Sequence, residues 1–213
     1  MNKNEQFVIT INRELGSGGR TVGCLLAEKL GVAFYDKALI KSLEKKFNLT
    51  VEEIECLKAQ KKKWWSDFMR ISSVGHGIST NTQWTMAEAE SHVPTTEMIF
   101  KAEKEILLEI AQEESCVIAG RMGFSVLKDH PNHLSILILA SMEHRLARVM
   151  RKKGLSKDEA MKLINTVDNM RERYVKNFAH TSRYEARNYD LVIRMDGKSE
   201  EEVADLILKY IGF

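Results

Sequence analysis

The sequence predicts an α/β layered fold, a parallel sheet flanked by helices. Three observations lead there: four short aliphatic runs, helical stretches alternating with them, and a glycine-rich turn directly behind the first run. The first run is Phe7 to Ile11 (FVITI). Ser115 to Ala119, Leu134 to Leu139 and Asp190 to Ile193 follow, and Ala33 to Tyr35 is a weaker fifth. Their aliphatic, β-branched character suits strands covered on both faces.

The helices are read from periodicity and caps. Thr21 to Leu30 places Val22, Leu25, Leu26 and Leu30 on one face, and Gly31 can end it. Lys37 to Phe47 is a second candidate, and Thr50-Val51-Glu52-Glu53 has the spacing of a capping box that opens a third. Thr95 to Glu114 repeats apolar residues at amphipathic spacing through Met98, Ile99, Ala102, Ile106, Leu107 and Ile110. Met142 to Lys152 is short and basic. Ser156 with Glu159 caps a helix running to about Phe178, and Ser199 with Glu202 caps the last, ending near Ile211. Lys61 to Thr96 fits least well. It is expected to be an insertion or mobile subdomain, and its Trp64-Trp65 pair is expected to pack in a lid or a homodimer contact.

Chemistry concentrates at Arg13-Glu14-Leu15-Gly16-Ser17-Gly18-Gly19-Arg20-Thr21, where a strand ends and a helix begins. Glycines let backbone amides converge on an anion, and the helix N-terminus adds unpaired donors and partial positive charge. Arg20 can add a charged fork, and Thr21 a hydroxyl reaching Mg2+ directly or through water. The spacing G-x-x-x-x-G-K-[ST] sets Arg13 at the first glycine, Gly18 at the second and Gly19 at the lysine. The dinucleotide pattern G-x-G-x-x-G fails at Thr21. A tight strand-to-helix connector without a ligand is the plain alternative.

Thr10 to Gly23, followed by Leu26 to Gly31 and Phe34-Tyr35-Asp36-Lys37, resembles the opening of the cytidylate kinase-like family, a branch of the P-loop nucleoside monophosphate kinases. The resemblance continues at Val117 to Arg121, Leu137 to Met150, Asp168 to Phe178 and Tyr189 to Ile193. It covers nearly all of the chain except Lys61 to Thr96. It implies a three-layer P-loop NTPase-type fold in a single domain over 1–213, with a helical, basic lid region over 145–187. It also implies ATP and Mg2+ as cofactors and transfer of the γ-phosphoryl group to a nucleoside monophosphate such as CMP. The implied donor-phosphate residues are Gly16, Ser17, Gly18, Gly19, Arg20 and Thr21, with Thr21 also the Mg2+ contact. The implied acceptor residues are Asp36, Lys41, Arg121 and Arg145. The implied catalytic residues are Arg20, Arg148, Arg171 and Asp168. Departures from the family pattern are the loop lysine (Gly19), the acid before Gly120 (Ala119) and the arginine one turn beyond Asp36 (Ser42, beside Lys41). They leave open a nucleotide-binding sensor without catalysis, or a kinase for a non-nucleotide metabolite.

Charge agrees with a phosphate site. The 213 residues carry 32 Lys and Arg against 30 Asp and Glu, a net +2. Yet Arg145 to Arg187 holds twelve basic against five acidic residues, and Glu88 to Glu114 holds eight Glu against two Lys. The near-neutral total excludes a tail-driven nucleic-acid binder. No apolar run reaches the roughly 20 residues of a membrane span, and no secretory segment follows the first residues, so a cytoplasmic protein is expected. Cys24, Cys56 and Cys116 lack metal or disulfide spacing and read as reduced thiols. Pro131 breaks the helix that His130 and His133 would need as metal ligands. Asp36 reads equally as a ligand at a strand end or as the cap of a following helix.

Overall fold

The FVITI run forms β1 (Val8–Arg13), the middle strand of a five-stranded parallel sheet in the order β2-β3-β1-β4-β5. The other strands are β2 (Ala33–Tyr35), β3 (Cys116–Ala119), β4 (His133–Leu139) and β5 (Leu191–Arg194). The computed structural model describes residues 1–2, 4–36 and 96–213. The expected helices over 37–47 and from Thr50, together with residues 61–95, lie outside the described residues. The chain divides into two compact units, Met1–Asp36 with Ile106–Phe213, and Lys37–Glu105; the sheet belongs to the first.

Register pins β1 on both sides. Ile11 lies beside Ala119 of β3 and Ile136 of β4, and Arg13 beside Ile138. Because all pairings are parallel, the C-terminal ends of the strands share one edge, where open α/β sheets bind ligands.

Helices follow as α1 (Gly19–Leu30), α2 (Thr96–Glu113), α3 (Gly123–Val126), α4 (Met142–Lys153), α5 (Lys157–Ala179) and α6 (Glu200–Tyr210). Val22, Leu26 and Ala27 of α1 and Val203, Ala204 and Ile207 of α6 form one core with Ile9, Ile11, Ile136 and Ile138 of the sheet. Thr10 faces the other way. There a β-carbon at Gly123 of α3 would stand 2.7 Å from Thr10 Cγ2, so only glycine permits that approach. Leu146 and Val149 of α4 pack with Ala160 and Ile164 of α5 in a smaller cluster. Both described capping boxes form: the Ser156 and Ser199 side chains accept from the amides of Glu159 and Glu202, whose carboxylates reach back.

Two differences from the sequence reading matter. β1 runs two residues further, to Arg13, because its pairing with β4 continues. α1 begins at Gly19 instead of Thr21, because Gly18 adopts the left-handed φ of 88° and turns the chain straight into the helix. The four-residue α3 and a 3₁₀ turn at Ala186–Asn188 carry too little periodicity to be foreseen. Among the described residues no helix is long and apolar enough to cross a membrane.

Candidate active site

The loop between β1 and α1 is shaped to leave amides free. Gly16 and Gly18 both adopt positive φ, 86° and 88°. A β-carbon at Gly16 would also fall 2.7 Å from the Arg145 carbonyl oxygen. The Glu14 amide donates to the Ile138 carbonyl, Leu15 to Asp168 Oδ1 and Ser17 to the Glu14 carbonyl. The amides of Gly16, Gly18 and Arg20 find no acceptor among the described residues. No side chain caps α1, and its first turn holds no acid. Free donors and the positive end of a helix together suit an anion.

Asp168 braces this loop from α5. Besides the Leu15 amide at 3.1 Å, it meets Arg145 Nη1 at 2.6 Å, Arg183 Nη1 at 3.3 Å and Arg171 Nη1 at 3.6 Å. Arg145 also pairs with Glu14 at 3.0 Å, and Glu14 accepts from the Ala140 amide. Arg145, named from sequence as an acceptor contact, is therefore a buried member of the brace on the flank of the loop, held by two carboxylates. Asp168, which the resemblance implies as a catalytic residue, thus holds the loop amide and three guanidinia of the basic stretch together.

Arg171 and Arg183 both donate to the Arg13 carbonyl at the end of β1. Burial, and then the Arg183 charge, push the Arg171 guanidinium down to about 10. The Arg183 side chain is wholly buried, with no partner for Nε, and it also reaches Asn12. The basic stretch 145–187 is therefore, in part, a set of internal supports.

The remaining predicted residues divide between two places. Arg20 turns toward β2, pairing with Asp36 and lying 5.8 Å from the Phe34 ring centroid. Arg148 pairs with Glu200 and donates to the Thr21 hydroxyl at 3.0 Å. Beyond β3, Gly120, Arg121 and Met122 adopt φ of 85°, 56° and 57° in succession. Two consecutive left-handed residues with side chains are costly, and such strain gathers at functional turns. Arg121 sits on that turn. Lys41 lies outside the described residues, as does Cys56. Cys24 is half-buried and Cys116 buried, both as free thiols.

The residues fit a polyanion. They fit a protein-held Mg2+ poorly: the Thr21 hydroxyl already accepts from a guanidinium, α1 offers no acid in its first turn, and the described residues contain no cluster of metal-ligating side chains. Thr21, expected to reach Mg2+ directly or through water, accepts a hydrogen bond from Arg148 here.

Sequence reasoning missed Arg13, Glu14, Arg183 and Glu200. Arg13 had a signal, since it occupies the first glycine position of the loop pattern. Arg183 and Glu200 lie far along the chain, and only the fold brings them to the loop.

Solved structures share this architecture. An uncharacterized protein from Eubacterium ventriosum ATCC 27560 matches with a TM-score of 0.66 and 25% identity, covering 97% of this chain and 98% of its own. Shikimate kinase from Acinetobacter baumannii, solved in complex with shikimate, matches in fold with a TM-score of 0.51 and 18% identity, over 97% and 93% of the two chains. Sheet order, loop and neighbours define a P-loop kinase fold. Within that class the chain belongs to the cytidylate kinase-like family, whose pattern it matches over residues 8–197. A curated relative, uronate isomerase from Corynebacterium glutamicum, is 29% identical over 124 residues, 58% of this chain. The match spans about a quarter of that relative's length (24%).

Proposed function

We propose that this protein transfers the γ-phosphoryl group of ATP to a small acceptor, with a nucleoside monophosphate such as CMP as the acceptor class. The observation that carries the reading is the uncapped start of α1, where the amides of Gly16, Gly18 and Arg20 find no acceptor among the described residues and lie beside a group of arginines. These amides would receive the donor phosphates. Arg121, on its strained turn, and Asp36, at the end of β2, face the acceptor side in this reading, and Lys41 would join them. Arg148 and Arg171 would add positive charge over the phosphates, while Arg145 and Asp168 keep the loop in shape. Mg2+ would arrive on the nucleotide and shield charge between its phosphates. Phosphoryl transfer needs little covalent help from protein, so rigid amides and placed cations are a sufficient catalytic set.

The test is acceptor-dependent ADP formation from Mg-ATP across a panel of nucleoside monophosphates and small hydroxylated metabolites. Turnover with a nucleoside monophosphate, CMP foremost, is the expected result. Turnover only with a non-nucleotide acceptor would overturn the acceptor class. Tight ATP binding with no turnover would make the protein a binding module.

A further inference from the structure

We propose that Arg13 supplies, from the first position of the loop, the positive charge that the loop lacks at Gly19, and that it binds the terminal phosphate of the donor. The inference rests on the phosphate-loop reading above and names a residue that reading did not use.

Space makes the two positions exclusive. A β-carbon at Gly19 would stand 2.7 Å from Arg13 Cβ, 3.2 Å from Arg13 Cγ and 3.3 Å from Ile138 Cβ. A lysine at 19 and the side chain of Arg13 cannot both be accommodated. The missing lysine and the arginine in place of the first loop glycine are thus two sides of one exchange, which keeps a single cation in that space.

The Arg13 side chain then runs to the neighbouring strand end. A β-carbon at Gly120 would overlap its guanidinium, so the head group lies directly against the Gly120 backbone. It stands between the donor loop and the Gly120–Arg121 turn, where a terminal phosphate would pass from one side to the other.

Among the described residues the guanidinium also lacks a paired anion. Arg20, Arg145, Arg148, Arg171 and Arg183 each pair with a carboxylate. The Arg13 side chain has no hydrogen bond or ion pair among the described residues. The charges acting on it are Arg171, Arg183 and Arg121, all positive, and Asp36, already engaged by Arg20. Burial and those like charges hold its pKa well below the ordinary arginine value. A half-buried cation facing other cations, with five donors to satisfy, is costly to keep unless an anion completes it.

The experiment titrates ATP, ADP and inorganic tripolyphosphate by calorimetry into wild type, Arg13→Ala, Arg13→Met and the double variant Arg13→Gly/Gly19→Lys, with a thermal melt of each free protein. A charge-assisted contact predicts a loss of roughly tenfold to a hundredfold for ATP and tripolyphosphate in Arg13→Ala and Arg13→Met, with a smaller loss for ADP. The double variant should recover most of it, because it returns a cation to the same space. The free variants should melt at or above the wild-type temperature, since an uncompensated charge has been removed. Wild-type affinity for ATP in Arg13→Met would overturn the proposal and leave the proposed function standing. Failure of both single variants to fold would also overturn it, by making Arg13 structural. Absence of ATP binding by the wild type would sink the phosphate-loop reading itself, and this inference with it.

Discussion

Replacing Asp168 by Asn tests whether the loop is braced as the structure describes. Asp168 is 7% exposed, and its carboxylate meets three guanidinia and the Leu15 amide. Asparagine keeps the shape and an acceptor for Leu15. It removes the charge, leaving, among the described residues, Arg145 paired with Glu14 alone and Arg171 and Arg183 with no carboxylate. Arg183 is the decisive member, because its side chain is wholly buried and cannot turn to water. Breaking a buried pair this way costs about 3–5 kcal/mol. Against a total stability of about 5–15 kcal/mol, that is a large share. It corresponds to a fall of about 6–20 °C in melting temperature for a domain of this size. Urea denaturation of wild type, Asp168→Asn, Arg145→Met and the double variant measures it. The double variant should lose less than the sum of the singles by at least about 1 kcal/mol, since the two share one interaction. A single-variant loss under about 1 kcal/mol, or strict additivity, would refute the brace.

Gly16→Ala should destabilise by about 1–3 kcal/mol and weaken ATP binding, because positive φ and the nearby Arg145 carbonyl both oppose a β-carbon; denaturation and calorimetry read the two effects. Arg20→Ala should cost under about 1 kcal/mol in stability, since the Arg20 side chain is itself more than half exposed, and should reduce ATP affinity less than Arg13→Ala does. Burial drives His133 down to about 4, while an unfolded histidine titrates near 6.5. Between these values the unfolded chain binds the extra proton, so stability falls as pH drops from about 6.5 toward 4. His133→Asn should flatten that slope in melts recorded across the range.

The fold could be read from the chain because its signals are local. FVITI and LSILIL are strand sequences wherever they occur, and Ser156 with Glu159 caps a helix within four residues. The loop could be read for the same reason, its glycines standing between one strand and one helix. Roles of charged residues were harder, because a guanidinium reaches far and its partner can come from any element. The family resemblance implied a substrate contact at Arg145, and the structure pairs it with Glu14, 131 positions earlier, and with Asp168.

Arg20 and Arg13 show the same limit from both directions. Adjacency to the missing lysine favoured Arg20, but residue 20 of a helix starting at Gly19 points away from residue 19, and Arg20 meets Asp36 beside β2. Arg13 is six positions from Gly19 in sequence and touches it in space, because β1 ends where α1 begins. A motif reports which positions carry a chemical function in most relatives. It does not report which other positions border the same volume, and a charge lost at one of them can be restored from another. For this chain the bordering position is Arg13, and the reciprocal swap with Gly19 is the perturbation that separates relocation of the cation from its loss.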